Sequence, residues 1–415
     1  MILAKYSFGI GDRFGHQGMA QLSAIIEAKK SGVDITPIWN KSNREHTTIH
    51  TAPSDTRKAA DAAVKAMGYN GPYCVDADHI NLKNVDGFIE SSNFFTLDVA
   101  DFVGKTAAKD EIEIFVEKCK KYIGMLSIPG IADTFTITAT MIKTVAEKYL
   151  LAVKEAGKIY RHIESAKGKG MFITEVSMDE TNLPQTPIDM FFILAAIADE
   201  GIPAQTIAPK FTGRFNKGVD YVGDVAQFAK EFEEDVAVIA YATKEFDLPK
   251  NLKLSVHSGS DKFSIYGSIN KMLKKFNAGV HVKTAGTTWL EEVIGLAMAD
   301  GEGLVIAKRI YREAMGRFDE LCSPYATVID IDEAKLPSPD VVDKWNSDDY
   351  ASALRHDQRC TKYNPHFRQL IHVGYKVAAQ MGDEYLNALV KYEDIIAANV
   401  RYNVLERHIK PIFLS

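Results

Sequence analysis

The stretch LKLSVHSGSDKFSIYGSINKMLKKFNAGVHVK, residues Leu252–Lys283, contains the alternation that decides the fold. A short apolar run, Leu252–His257, is followed by a helical pattern over Asp261–Phe276 and by a second apolar run, Val280–Lys283. Two short strands separated by one helix are typical of parallel pairing, because a parallel connection needs a crossover of a dozen residues or more. The stretch therefore predicts a βαβ unit.

The same alternation extends from this unit back to the start of the chain. Six further strands are predicted at Tyr6–Gly11, Ile35–Trp39, Tyr73–Asp76, Phe94–Leu97, Gly170–Val176 and Ala204–Ala208. Helical patterns lie between them, including Met19–Lys30, Asn84–Glu90, Phe135–Ser165, Pro187–Ala198 and Thr287–Ala299. Eight parallel strands with crossover helices are the pattern of a (β/α)8 barrel. The predicted fold class is therefore α/β, a TIM-type barrel.

The alternation stops after Ala299, and only helical patterns follow. They cover Gly301–Leu321, Pro365–Met381 and Asp383–Val404. We therefore predict a (β/α)8 barrel catalytic domain over residues 1–300 and a C-terminal helical extension over residues 301–415 that packs on the barrel.

The amino-acid composition excludes several classes of binding partner. The 415 residues carry 49 Lys+Arg against 55 Asp+Glu, a net charge of −6, so no overall basic field attracts nucleic acid or an anionic membrane. The four cysteines are widely spaced, which fits neither a disulfide framework nor a zinc knot. The sequence has neither a signal peptide pattern nor a spanning apolar run. These features predict a cytoplasmic protein in which a small anion would have to bind in a local pocket, and they are compatible with a homo-oligomer.

Ionisable residues gather at one end of the predicted barrel. The carboxyl ends of the strands run into Asp12-Arg13, Asp76-Ala-Asp78-His79, Glu175 to Glu180 and His257 to Lys262. The opposite ends carry only turn residues such as Gly71-Pro72. Active sites of TIM barrels lie at the carboxyl ends of the strands. This asymmetry is the strongest functional signal in the sequence.

Three of these rim residues predict a metal site. His79, Glu175 and His257 end three different strands, and such a set suits a divalent ion such as Zn²⁺, Mn²⁺, Ni²⁺ or Co²⁺. Each histidine alone is equally compatible with a surface or capping role, but the three together favour a metal or catalytic site. His281, one layer deeper than Lys283, is predicted to be a hydrogen-bonded core histidine.

Basic and hydroxyl residues on the same rim predict an anion pocket. The runs Ser258–Ser260 and Thr284–Thr288 follow strands and open helices, where backbone N–H groups bind anions, although a plain capped turn is equally compatible. The predicted substrate-binding residues are Arg13, Arg214, Asp261, Lys262 and Thr287.

Two lysines and one carboxylate are the predicted catalytic groups. Lys210 and Lys283 end strands, where a lysine can form a Schiff base or act as an acid or base; a solvated rim lysine is equally compatible for each one singly. Asp78 and Lys210 are the predicted acid–base groups, and Glu175 is interchangeable between base and metal ligand.

Short motifs along the chain resemble the tagaturonate epimerase (tagaturonate/fructuronate epimerase) family. They are Ser7–Gly15, Trp39–His46, Val75–His79, Ser255–Ser264, Lys283–Glu291 and Phe367–Lys376. The resemblance spans nearly the whole chain. It implies a barrel enzyme that depends on a divalent metal and inverts one hydroxyl-bearing carbon of a keto-hexuronate.

The implied reaction inverts a carbon that is not adjacent to the ketone, which favours retro-aldol cleavage and aldol re-formation over simple enolisation. A redox route is disfavoured, because the sequence lacks a dinucleotide fingerprint. Two alternatives stay open: a metal-dependent aldolase or ketose isomerase acting on a phosphorylated sugar, and a barrel that binds a sugar acid without catalysis.

Overall fold

Eight parallel strands close into a barrel, which confirms the predicted fold class. The structure, a computed structural model, describes residues 1–179, 181, 183–284 and 286–414. The barrel strands are β1 Tyr6–Gly11, β2 Ile35–Ser42, β3 Cys74–Ile80, β4 Phe94–Asp98, β7 Ile173–Ser177, β8 Thr206–Ala208, β9 Lys253–Val256 and β10 Val280–Thr284. They are hydrogen-bonded in chain order, and β10 closes the barrel onto β1.

The barrel interior changes from apolar to polar along β3, β4 and β7. Ile38, Cys74, Phe94 and Ile173 pack with Leu3 as a small separate apolar cluster. Side chains alternate between the two faces of a strand, so the residues two positions further on share the interior. In β3, β4 and β7 those positions hold Asp76, Thr96 and Glu175, all of them buried. The apolar cluster therefore closes one end of the barrel, and polar side chains fill the end where the carboxyl termini of the strands meet.

Helices surround the barrel. They are α1 Gly18–Lys30, α2 Asn43–Ile49, α3 Pro53–Ala66, α4 Lys109–Cys119, α5 Ala139–Lys167, α6 Pro187–Asp199, α7 Val225–Glu245, α8 Phe263–Phe276 and α9 Thr287–Met298. The predicted helix at Asn84–Glu90 is only a three-residue 3₁₀ turn, Val85–Gly87.

The long connection before β7 contains a hairpin that the sequence reading missed. Its strands are β5 Gly124–Ser127 and β6 Thr134–Ile137, paired antiparallel. The predicted helix from Phe135 therefore begins later, at Ala139. The Thr138 side chain caps it by accepting a hydrogen bond from the backbone N–H of Met141.

The residues after α9 form helices that cover one side of the barrel. They are α10 Gly301–Gly316, α11 Phe318–Cys322, α12 Pro339–Val342, α13 Ser347–Leu354, α14 Pro365–Val373, α15 Tyr375–Met381, α16 Asp383–Lys391, α17 Glu393–Tyr402 and a wider π-type helix, Asn403–Leu414. Helices α10, α13 and α17 pack on α9, and the π-type helix packs on α8. The boundary between residues 1–300 and 301–415 stays a prediction, because one continuous hydrophobic core includes residues from both. None of the described helices has the length and hydrophobicity needed to cross a membrane.

Candidate active site

A cavity of about 410 Å³ opens at the carboxyl ends of the barrel strands. Barrel and loop residues on its wall include Arg13, Arg44, Glu45, Asp78, His79, Asp98, Asp179, Lys217, His257, Ser258 and Lys283. Pro324, Tyr325, Thr327, Val328 and His372 complete the wall from the C-terminal helices and their loops. The extension therefore contributes directly to the mouth of the barrel.

A β-bulge brings two consecutive residues of β3 to this cavity. Regular alternation would send Asp78 inward and His79 outward. The register between β3 and β4 shifts between Ala77 and Ile80, and His79 adopts a left-handed backbone conformation with φ 53°. Bulges re-aim side chains next to functional sites, and left-handed backbone at a non-glycine residue is strained. As a result both Asp78 and His79 line the cavity.

Lys283 lies at the centre of a buried carboxylate cluster. Its Nζ is 2.9 Å from Asp76 Oδ2, 2.8 Å from Asp78 Oδ1 and 3.1 Å from Glu175 Oε1. It also donates a hydrogen bond of 2.6 Å to Thr96 Oγ1. Burial alone would lower the pKa of Lys283, but the three carboxylates raise it well above its ordinary value. A lysine held in its charged form is a poor nucleophile, so this geometry favours an electrostatic or acid role over Schiff-base formation.

The two aspartates beside Lys283 differ in their protonation. Burial raises the pKa of Asp76 to about 7, even though Lys283 opposes the change. Burial also acts on Asp78, but Lys283 and His79 outweigh it and lower the pKa of Asp78 to about 2. Two carboxyl groups whose pKa values are pushed apart are a common sign of acid–base chemistry.

His79, Asp179 and His257 form a second cluster, on the cavity wall. One potential ligand atom from each residue lies within 4.8 Å of the others. His257 Nδ1 is 3.2 Å from Asp179 Oδ1, and His79 Nε2 is 3.6 Å from Asp78 Oδ1. Burial alone would lower the pKa of His79, but Asp78 and Asp98 raise it to about 10. The same negative field would attract a metal cation.

The second ring nitrogen of each histidine contacts another carboxylate. His79 Nδ1 is 3.3 Å from Asp98 Oδ2, and His257 Nε2 is 2.7 Å from Glu175 Oε1. Metal-bound histidines usually have such a carboxylate behind them, which fixes the ring and its tautomer. His257 Nδ1 is buried and has no well-aligned hydrogen-bond partner among the described residues. The cluster therefore fits a divalent cation, with Asp179 at the cavity and the predicted ligand Glu175 behind His257.

Arg13 is buried beside the cavity. Its Nε donates to Glu45 Oε1 at 2.9 Å, and its guanidinium stacks on Tyr375 with 3.8 Å to the ring centroid. A Cβ atom on Gly286 would come within 2.7 Å of Arg13 Nη2, and Gly286 has φ +80°, so only glycine fits there. Thr287 begins α9 directly after this glycine and does not line the cavity. Residue 285, within the predicted anion-binding run, lies outside the described residues.

Lys210 and Arg214 lie apart from Lys283. They line a neighbouring cavity of about 500 Å³, which shares Asp179, His257, Ser258, Thr327 and Val328 with the first. Arg214 Nη1 is 3.0 Å from Asp330 Oδ2.

Asp261 and Lys262 lie in the protein interior and line neither of these cavities. Asp261 forms a buried ion pair with Arg368. Lys262 Nζ donates to the backbone carbonyls of Asn216, Val219 and Ser260. This geometry favours a structural role for both residues.

Sequence reasoning missed several wall residues. Asp179 follows β7 by two residues and Asp98 ends β4, so both carried the same rim signal as Glu175. Arg44 and Lys217 also line the cavity, and neither forms an ion pair with a described carboxylate. Tyr325 comes from a short 3₁₀ helix of the extension, Ser323–Tyr325, and no local pattern predicts that it reaches the barrel mouth.

Fold and site together define an α/β-barrel protein whose mouth combines a candidate cation site with a buried acid–base cluster. The sequence profile of the UxaE tagaturonate epimerase family matches residues 1–412, and the chain belongs to this family. The resemblance found in the motifs is therefore confirmed.

Individual relatives agree with the family. The tagaturonate/fructuronate epimerase of Thermotoga maritima is 29% identical over 423 residues, which cover 98% of this chain and 79% of the relative. A glycerol-bound crystal structure of fructuronate-tagaturonate epimerase UxaE from Cohnella laeviribosi superposes with a TM-score of 0.81 at 24% identity, covering 99% of this chain and 82% of that one. The native crystal structure of the same protein gives 0.79. At this identity the structural likeness supports the fold alone.

Proposed function

We propose that this protein is a divalent-metal-dependent epimerase that interconverts D-tagaturonate and D-fructuronate by retro-aldol and aldol chemistry. The observation that carries the proposal is the juxtaposition, on one cavity wall, of the His79–Asp179–His257 cluster with Asp78 and Lys283. Family membership supports the substrate class and the epimerase activity.

The reaction must exchange a proton at a hydroxyl group and break a carbon–carbon bond. Removal of the hydroxyl proton lets the bond between this carbon and its neighbour on the ketone side break. One fragment becomes an aldehyde, and the electron pair of the broken bond forms an enediolate on the other. Rotation of the aldehyde and re-formation of the bond, with return of the proton, complete the inversion without any net redox change.

Asp78 and Lys283 are suited to the proton and charge transfers. Both line the cavity, and Asp78 Oδ1 lies 2.8 Å from Lys283 Nζ. Asp78 is ionised at neutral pH and can accept the hydroxyl proton, while the Lys283 ammonium stabilises negative charge that develops on oxygen. Asp76 contacts Lys283 on the side away from the cavity, and its pKa of about 7 lets it donate or accept a proton near neutral pH. Lys210 lines the neighbouring cavity. We propose that it exchanges the proton when the hydroxyl group of the inverted carbon has the opposite orientation.

The proposed metal ligands are His79, Asp179 and His257, with Zn²⁺, Mn²⁺, Ni²⁺ or Co²⁺ as candidates. A bound divalent ion would supply Lewis-acid stabilisation of negative charge on the substrate oxygens, a contribution of several kcal/mol. Asp98 and Glu175 would orient the two histidines from behind. Glu175 remains a candidate ligand should His257 rotate.

The substrate carboxylate needs a cation that no protein carboxylate already neutralises. Arg44 and Lys217 meet this condition among the described residues, and both line the cavity. Lys217 Nζ is 3.0 Å from Ser258 Oγ, which fixes its position near His257. Arg13 is paired with Glu45, and we propose that it supports this wall together with Thr287 at the start of α9.

The test is conversion of D-tagaturonate to D-fructuronate, followed by NMR, before and after chelation and after addition of each candidate metal. We expect chelation to abolish turnover and one metal to restore it. The variants His79→Ala and His257→Ala should lose both bound metal and activity, whereas His162→Ala, an exposed histidine on α5, should keep both. Full activity in the chelated enzyme or in the His79→Ala/His257→Ala double variant would refute the metal site.

Substrate scope separates the proposal from its rivals. An aldolase or ketose isomerase would turn over a phosphorylated sugar and leave the hexuronates unchanged. A non-catalytic barrel would bind hexuronate without turnover in the presence of every metal. The proposed cytoplasmic location and a homo-oligomeric state stay predictions, which cell fractionation and light scattering would check.

A further inference from the structure

A second polar cavity lies outside the barrel, between α8 and the C-terminal helices. Its volume is about 570 Å³, and its wall includes Phe263, Arg355, His356, Asp357, Tyr402 and Arg407. It shares no described lining residue with the cavity at the barrel mouth. The proposed reaction uses none of these side chains.

Two arginines in this cavity have no carboxylate partner among the described residues. Arg355 Nη2 donates to the amide oxygen of Asn399 at 2.7 Å, and Arg407 Nη2 donates to the backbone carbonyl of His356 at 2.7 Å. The Arg407 guanidinium also stacks on Phe263, 4.2 Å from the ring centroid. Both arginines are half-buried. Arginines are mostly exposed unless they are paired, so two half-buried arginines without a contact to a described carboxylate in a single cavity favour a bound anion.

The acidic residues of the cavity contact groups other than these two arginines. Asp357 Oδ1 lies 3.2 Å from Arg359 Nε. Asp220 accepts hydrogen bonds from the backbone N–H and the hydroxyl of Ser264 and from the Gln358 amide. The positive charges of Arg355 and Arg407 are therefore left without a direct carboxylate contact in the described part of the chain.

His356 provides a second, independent sign of a ligand. Its side chain is only 3% exposed, and it lies between the rings of Phe263 and Tyr363. His356 Nδ1 contacts Asp261 Oδ2 at 3.4 Å, whereas Nε2 has no hydrogen-bond partner within the described residues. Buried polar groups are nearly always hydrogen-bonded, so the unsatisfied Nε2 of a histidine on a cavity wall suggests a missing partner.

We propose that this cavity binds a small oxyanionic ligand, a phosphate or carboxylate compound, held by Arg355 and Arg407. Guanidinium groups present planar pairs of N–H donors that match two oxygens of such an anion. His356 contributes a further polar contact from the wall, and Phe263 and Tyr402 supply apolar surface for the rest of the ligand. The cavity is an anion site separate from catalysis.

The test is calorimetric titration of the full-length protein with inorganic phosphate in one arm and succinate in another. We expect at least one of them to bind, and the tighter one identifies the source of the oxyanion. The Arg355→Met/Arg407→Met double variant should weaken binding about tenfold or more, because each charge-assisted contact is worth more than an ordinary hydrogen bond. Arg355→Lys and Arg407→Lys, which keep the charge but lose the planar fork, should weaken binding less and serve if the double variant does not fold.

Two controls separate this site from the barrel mouth. The Arg44→Met/Lys217→Met variant, which removes the two cations of the barrel mouth that pair with no described carboxylate, should bind the anion as the unaltered protein does. So should Arg312→Met, which removes an exposed arginine on α10. Binding that disappears in the Arg44→Met/Lys217→Met variant, binding that survives in all the Arg355 and Arg407 variants, or binding of neither anion would overturn the proposal. Hexuronate turnover is not the readout, so this result does not depend on the function proposed above.

Discussion

The pair formed by Asp261 and Arg368 provides the sharpest test of how the extension is attached to the barrel. Both side chains are fully buried, Asp261 lies between β9 and α8, and Arg368 lies on α14 of the extension. His356 and His408 also face Asp261, at 3.4 Å and 3.5 Å. Burial opposes the charge on Asp261, but Arg368 and the histidines hold its pKa well below the ordinary value. The pair therefore stays ionised at neutral pH.

Asp261→Asn keeps the shape of the side chain and removes its charge, leaving Arg368 buried without its ion-pair partner. Removing one partner of a buried ion pair costs about 3–5 kcal/mol. A chain of 415 residues has an unfolding entropy of roughly 0.9 kcal/mol/K, so the melting temperature should fall by about 3–6 °C. Arg368→Met should cost a similar amount. The double variant should cost clearly less than the sum, because the second change removes a charge already left unpaired.

Calorimetry and urea unfolding measure these changes, and the hexuronate assay at 25 °C measures turnover by the folded variants. Glu384→Gln, which breaks an exposed pair with Arg309, serves as the control and should leave the melting temperature nearly unchanged. An Asp261→Asn enzyme with unchanged stability and a greatly raised KM would refute the structural role and restore Asp261 as a substrate-binding residue. Additive effects in the double variant would show that the two charges act independently.

Three further predictions concern the barrel interior. Glu175→Gln should weaken metal binding about 10–100-fold without changing the stoichiometry at saturation, as expected for a carboxylate behind a ligand; complete loss of the metal would instead make Glu175 a ligand. Lys283→Met should lower kcat by about 10²–10⁴-fold in steady-state assays, and near-normal turnover would exclude an essential role. Burial lowers the pKa of His281 to about 3, so its contribution to stability is complete above pH 6.5 and declines by about 1.4 kcal/mol per pH unit as pH falls toward 3. Urea unfolding between pH 7 and pH 5 should therefore show a shallower pH dependence for His281→Gln, and equal slopes would contradict this.

The barrel was predictable because its signals are local. Each strand is a short buried run, and β1 has the predicted bounds, Tyr6–Gly11. The hairpin β5–β6 was missed because Thr134–Ile137 continues directly into a long helix, and its pairing with Gly124–Ser127 is a contact that helical periodicity does not report.

Residues of the candidate site were predictable where their position at the end of a strand places them at the cavity. They were not predictable where packing with distant residues determines the direction of the side chain. His79, His257, Asp78 and Lys283 end strands, and all four line one cavity. Asp261 occupies the same kind of position along the chain, yet its backbone has φ 59° and its side chain pairs with Arg368 in the interior. The partner lies 107 residues away, so only the folded chain reveals that the charge is already neutralised.

The last helix has a consequence for the order of events during synthesis. The backbone N–H of Asp261 donates to His408 Nε2 at 2.9 Å, in the loop that follows His257. On the ribosome the barrel strands emerge well before residue 408, and segments fold as they appear. The loop that follows His257 therefore lacks this contact until residue 408 has been translated. A nascent chain can close its barrel before that point, but the loop that holds Asp261 becomes fixed only afterwards.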